Sequence, residues 1–223
     1  MPLYQGVPPD HLRSVNECLS SHGAHYPMSV STQGAIDEAK ILAGYVLETF
    51  PKLIGAPINS ICDVGCAGGH LVLAFLQCGV TAIGLDAHPD APPCLGAPIL
   101  LRDAAITLDI IPRVSLAVCL DTAEHVPDYK ADKLVENLCS MAPAVYFSAG
   151  LPGYEGAHGH VNCQPVNYWA QKFKRFGYHP FADEHRWSDW RMTLKAKIEA
   201  GPAGESYCWW SWGEQARLYL KGA

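Results

Sequence analysis

Ser60-Ile61-Cys62-Asp63-Val64-Gly65-Cys66-Ala67-Gly68-Gly69 decides how the chain is to be read. An apolar run ends on a carboxylate, a glycine-rich turn follows, and Gly69–Gln77 continues as an apolar segment with helical character. Strand, turn, helix is the opening unit of a parallel α/β sheet. Glycines let the backbone turn sharply and let a bound group approach without a Cβ in the way. Ligands of open α/β sheets sit beyond the C-terminal ends of the strands, where strand order reverses. On this reading Asp63, Gly65, Cys66, Ala67 and Gly69 line a binding site.

The pattern repeats outward from this point. Thr81–Leu85, Pro98–Leu101, Val114–Leu120 and Ala144–Ser148 read as further strands, and Ala131–Ser140 reads as a helix. Runs apolar on both faces and separated by helices indicate a parallel sheet covered on both sides. Upstream, Ile36, Ala39, Ala43, Val46, Leu47 and Phe50 form one helical stripe, which Pro51 and Pro57 are expected to close. Downstream, Pro165–Phe176 reads as a helix with Trp169, Phe173 and Phe176 on one face. Trp190, Leu194 and Ile198 mark another helix, and Ala216–Leu220 is strand-like. The expected fold is therefore α/β: a doubly wound, mostly parallel, seven-stranded Rossmann-like sheet with helices on both faces. Residues 1–57 form a helical or irregular lead-in, a possible lid that includes Tyr26, and residues 58–223 form the binding domain. Elements from about residue 150 onward are expected to set substrate choice.

Bulk properties narrow the classes. With 223 residues the chain is expected to form one large domain or one domain with an added element, and its 49% hydrophobic content is enough for a sizeable core. The net charge of −6 argues against a nucleic-acid partner held through its phosphate backbone. The local basic stretch Lys172, Lys174 and Arg175 reads as a solvated helix face. Nine scattered cysteines without paired CxxC units read as small buried thiols of a reducing compartment. No secretory signal and no membrane-spanning run is evident, so a cytoplasmic protein is expected.

Gly84-Leu85-Asp86 ends the second strand about 20 residues after the glycine turn, where a carboxylate can accept hydrogen bonds from ribose hydroxyls. A nicotinamide dinucleotide would suit the same layout. The turn, however, opens on Asp63 and reads D-x-G-x-A-x-G, with no clean G-x-G-x-x-G. A pyrophosphate wants bare N–H groups, whereas an ammonium and a sulfonium favour carboxylates. ICDVGCAGGHL…AIGLDAHPD over residues 61–90 resembles the first two motifs of class I S-adenosylmethionine (SAM)-dependent methyltransferases. Arg102-Asp103, the Leu116–Pro127 run through Asp121 and Glu124-His125, and Phe147–Trp169 continue the resemblance in order. It implies SAM as cofactor and S-adenosylhomocysteine as product. It implies cofactor contacts from Asp63, Gly65, Cys66, Ala67, Gly69, Asp86, Ala87, Asp103 and Asp121, with Asp103 at the adenine amino group. Ala67 stands where the family usually has glycine, and Asp121 where a subset has glutamate. The implied reaction is methyl transfer to an oxygen or nitrogen of a small-molecule or sugar-like acceptor. Two other readings stand beside it: a non-catalytic SAM-binding sensor or partner subunit, and an NAD-dependent oxidoreductase.

His125, His158 and His160 are the acid–base candidates, since an unperturbed imidazole titrates near ~6.5. His158-x-His160-x-x-Cys163 also has the residue types of a zinc site, but no partnering Cys/His cluster lies near it in sequence, so no metal is expected. All six tryptophans lie at or after position 169. Trp187, Trp190, Trp209, Trp210 and Trp212 read first as core packing and second as an aromatic wall over a substrate.

Overall fold

The computed structural model describes residues 33–87, 97–108, 112–155, 159–201 and 215–222. Helix α1 (Gln33–Ile54) precedes β1 (Ser60–Val64), α2 (His70–Gln77), β2 (Thr81–Asp86) and β3 (Ile99–Leu101). Then come β4 (Leu116–Cys119), a single 3₁₀ turn (Ala123–His125), α3 (Asp128–Met141) and β5 (Ala144–Phe147). Helix α4 (Val166–Arg175), β6 (Tyr178–Pro180), α5 (Glu184–Glu199) and β7 (Arg217–Lys221) complete the order.

The strands form one seven-stranded sheet in the order β3-β2-β1-β4-β5-β7-β6. Strands β1 to β5 pair in parallel, and β7 lies antiparallel between β5 and β6. The chain winds outward from β1 to β3 and then returns to start β4 on the other side of β1. The reversal point therefore falls between β1 and β4, and the glycine turn leaves β1 there.

Consecutive residues alternate between two cores, as the strand period of two requires. Leu116 and Val118 of β4 belong to one core, Ala117 and Cys119 to the other. Ala144 and Tyr146 of β5 divide from Val145 and Phe147 in the same way. Helices α1, α2 and α5 cover the first face, and α3 and α4 cover the second. On the first face Trp187 and Trp190 stack at 4.9 Å, against Phe50 of α1 and Tyr146 of β5. Their indole N–H groups donate to the Ala216 carbonyl at 3.2 Å and to the Thr49 hydroxyl at 2.7 Å. Core packing is thus the role of these two side chains. Trp209, Trp210, Trp212, Tyr26 and His158 lie outside the described residues.

Three expectations need correction. Helix α1 runs past Pro51 to Ile54. Its stop is Gly55, at φ +76°, whose N–H closes on the Pro51 carbonyl at 2.9 Å. The seventh strand is β6, a three-residue edge whose last two side chains are exposed, so no run of apolar residues announces it. Lys172 is not on a solvated face: it is buried, with Nζ 2.7 Å from Asp132, which Arg175 also pairs. Cys62, Cys66, Cys119 and Cys163 are buried free thiols. No helix among the described residues is long and apolar enough to cross a membrane.

Candidate active site

The parallel pairing sets Asp63 beside Gly84, so the ends of β1 and β2 lie side by side with their turns above them. Gly65 and Cys66 both direct their N–H groups to the Leu85 carbonyl, at 2.7 and 3.3 Å. Gly69 N–H closes the turn on the Cys66 carbonyl at 2.8 Å. Ala67, at φ +47°, donates its N–H to Asp86 Oδ2 at 2.7 Å. Asp86 therefore does two things at once: it ties the glycine turn to β2 and places a carboxylate at the strand end.

Asp63 is 6% exposed. Burial, and then the negative charge of Asp86, push its carboxyl up to about 7. Burial and the same carboxylates hold the Cys66 thiol far above its usual range, and burial with Asp63 lifts Cys62 to about 12. These thiols stay protonated and are no nucleophiles at neutral pH. Cys66 serves the site through its backbone. A pyrophosphate placed here would meet the carboxyl groups of Asp63 and Asp86, whereas a cationic group would relieve the charge that they impose on each other. The donor set fits an aminoacyl sulfonium better than a dinucleotide.

Across the reversal point, Thr122 donates its hydroxyl to the carbonyls of Val64 at 3.3 Å and Leu120 at 3.1 Å, bridging the ends of β1 and β4. Asp121, at φ +49°, is held by Ser148: its N–H donates to Ser148 Oγ at 3.1 Å, and that hydroxyl donates to Asp121 Oδ1 at 3.2 Å. Two non-glycine residues in the left-handed region, Ala67 and Asp121, thus flank the same opening, the kind of strain that clusters at functional sites. Asp103, past β3, accepts the Ala105 N–H at 2.6 Å and lies 3.7 Å from Lys130 Nζ. Ala87 is exposed just beyond Asp86.

The 3₁₀ turn after β4 carries Glu124 and His125. Residues 159–165 fold back onto it: Val161 and Asn162 donate their N–H groups to the Glu124 carbonyl at 2.8 and 2.9 Å, and Gln164 to the Gly150 carbonyl at 3.0 Å. This brings His160 edge-on against His125, with ring centres 4.9 Å apart. Glu124 is 1% exposed. Burial first, and the charge of Asp121 second, raise its carboxyl to about 8, while the N–H groups of Glu124 and Gly150 oppose the rise. Cys163 is buried, but among the described residues the side chains whose donor atoms converge are Glu124, His125 and His160.

Sequence reasoning therefore named His125 and His160 and missed Glu124, Thr122 and Ser148. The missed residues carry one weak signal, polar side chains at the C-terminal ends of otherwise apolar strands.

No protein-family model and no curated protein sequence matches the chain. Solved structures do. The plantazolicin methyltransferase BpumL, in complex with a triazolic desmethylPZN analog and SAH, superposes with a TM-score of 0.60 at 11% identity, over 96% of this chain and 92% of that one. The sugar N-methyltransferase KedS8 from Streptoalloteichus sp ATCC 53650 gives 0.57 at 12% identity, over 81% and 87%. An S-adenosylmethionine-dependent methyltransferase from Clostridium acetobutylicum ATCC 824 gives 0.57 at 9% identity, over 82% and 92%. The reversal point, the antiparallel strand β7 and these likenesses agree: the chain has the class I methyltransferase fold.

Proposed function

We propose that the chain is a SAM-dependent methyltransferase that transfers a methyl group to an oxygen or nitrogen of a small-molecule or sugar-like acceptor. The observation that carries this reading is the pair Asp63 and Asp86, two carboxylates closing adjacent parallel strands around a glycine turn. SAM supplies a methyl group on a cationic sulfur, and the protein supplies position and field. Asp63 faces the amino-acid end. The backbone of Gly65, Cys66, Ala67 and Gly69 packs beside it. Asp86 and Ala87 hold the ribose side, and Asp103 borders the base. Asp121, fixed by Ser148, stands between the cofactor and the acceptor. The acceptor lies against Glu124, His125 and His160. The sugar N-methyltransferase among the structural neighbours supports a small polar acceptor.

Asp86→Ala is expected to weaken SAM binding by roughly 1.5–3 kcal/mol, the scale of hydrogen bonds to a charged group. Calorimetry on the folded variant tests this, and an unchanged affinity would overturn the cofactor assignment.

The raised carboxyl of Asp63 adds a pH dependence with a defined sign. Below about 7 the free protein holds Asp63 protonated, and a cationic ligand must displace that proton. SAM affinity of the wild type relative to Asp63→Asn should therefore rise with pH, by about tenfold between about pH 6 and pH 8. The ratio cancels titration of the ligand itself. A ratio that stays flat or falls over this window means that Asp63 does not face the cation.

A further inference from the structure

We propose that Glu124, His125 and His160 bind a divalent transition-metal ion, which holds an oxygen of the acceptor. Its role toward the acceptor rests on the methyltransferase reading; the binding of the ion does not.

The donor atoms of these three side chains, one from each, lie within 4.8 Å of one another. They come from two separate segments, and the backbone explains why they meet. His125 closes the 3₁₀ turn that follows β4. Gly159, at φ +86°, turns the returning loop, and the paired N–H groups of Val161 and Asn162 fasten that loop to the Glu124 carbonyl. His160 is thereby carried to the turn by main-chain bonds that do not involve its ring. An ion bound here, with bond lengths of roughly 2.0–2.2 Å, would draw the three donors closer together.

A second observation points to a cation. The Glu124 side chain is almost completely buried, and among the described residues its Oε2 has no hydrogen-bond partner. Buried carboxylate oxygens are normally satisfied, because an unpaired one is costly. A metal ion shared with the two imidazoles would give this carboxyl a partner.

The His160 ring is already set for ligation. Its Nδ1 lies 3.1 Å from the Tyr154 carbonyl oxygen. A carbonyl only accepts, so Nδ1 carries the hydrogen, and Nε2 is the atom through which the ring would bind an ion. Metal-bound histidines are oriented by this kind of outer hydrogen bond. His125 and His160 are each partly exposed, so the ion keeps an open side for water or an acceptor oxygen.

Two imidazoles and one carboxylate suit Mn²⁺, Fe²⁺ or Zn²⁺, and not Ca²⁺ or Mg²⁺, which favour oxygen ligands throughout. An ion at this place lowers the pKa of a coordinated hydroxyl, whose proton passes to solvent water. His125 and His160 then act as ligands instead of bases. The acceptor class follows: a hydroxyl compound, favoured when a neighbouring oxygen can occupy a second coordination position.

The test uses the full chain, stripped with a chelator and dialysed, then titrated calorimetrically with Mn²⁺, Zn²⁺ and Mg²⁺ in separate runs. One Mn²⁺ or Zn²⁺ per chain is expected, with Mg²⁺ at least about tenfold weaker. His160→Ala and Glu124→Gln should each weaken Mn²⁺ binding on the order of 100-fold, the upper range for disturbing a metal's surroundings. His179→Ala, on the far edge strand, should leave it unchanged. Circular dichroism melts accompany each variant, and because Glu124 is buried, the partly exposed His160 carries the result if Glu124→Gln fails to fold. The stripped, folded protein taking up no ion, or His160→Ala binding Mn²⁺ as tightly as the wild type, overturns the proposal. Asp86→Ala should bind SAM more weakly and keep the ion, so the metal site and the methyltransferase reading fail separately.

Discussion

Trp187→Ala is expected to lower the melting temperature by about 10 °C, the largest stability effect of any single truncation on the first face of the sheet. Trp187 is 1% exposed and sits among Phe50, Tyr146 and Trp190. Truncating a buried tryptophan removes its transfer free energy and leaves a cavity, about 3–5 kcal/mol together. For a domain of this size each kcal/mol shifts the melting point by about 2–4 °C. The variant also strips the Ala216 carbonyl of its indole donor. The consequence reaches the site along β5: Tyr146 packs on the two indoles, and Ser148, just beyond the same strand, holds Asp121. Trp187→Phe keeps an aromatic ring in the space and should lose less than half as much. A tryptophan wall over the acceptor would behave in the opposite way, with an unchanged melt and a weakened acceptor. Calorimetric melts of the two variants distinguish the cases.

The parts of the fold that were legible in the sequence are those with local causes. Ser60–Val64 and its glycine turn announce themselves because a strand apolar on both faces and a turn needing bare backbone each leave a residue-type signature. Asp63 and Asp86 were legible for the same reason: a carboxylate at the end of an apolar strand is conspicuous. What was hidden depends on partners distant in sequence. Pro51 looked like a stop because a proline lacks an N–H, yet near the end of a helix the one lost bond is tolerated, and Gly55 sets the boundary. β6 owes its existence to the edge offered by β7, with which Tyr178–Pro180 pairs. Lys172 looked like a surface charge and is buried because Asp132 of α3 meets it across the helix interface. At the site, His125 and His160 were visible singly, but their meeting is made by two main-chain N–H groups closing on the Glu124 carbonyl, and such a bond carries no residue-type signal.

Gly65→Ala should abolish measurable SAM binding, a loss of at least about 3 kcal/mol. Two separate costs fall on this position. Gly65 lies at φ +77°, where a side chain costs roughly 1–2 kcal/mol. A Cβ there would also fall 1.9 Å from Thr122 Oγ1, 2.4 Å from its Cγ2 and 2.7 Å from its Cβ. Rotation of Thr122 relieves the first two contacts and cannot move the third, so one of the two turns must shift. Thr122 bridges the carbonyls of Val64 and Leu120, and Gly65 N–H holds Leu85, so a shift separates the ends of β1 and β4 or of β1 and β2. Asp63, Asp86 and Asp121 depend on that spacing. Gly79→Ala supplies the control. Its φ of +83° imposes a similar backbone cost, and nothing lies within 4 Å of the added carbon. That variant should be destabilised by roughly 1–2 kcal/mol and bind SAM as the wild type does. The difference between the two alanines, read as SAM affinity by calorimetry beside a thermal melt, isolates the contact between the two turns. Equal effects at both positions would mean that the closeness of Gly65 to Thr122 has no part in forming the site.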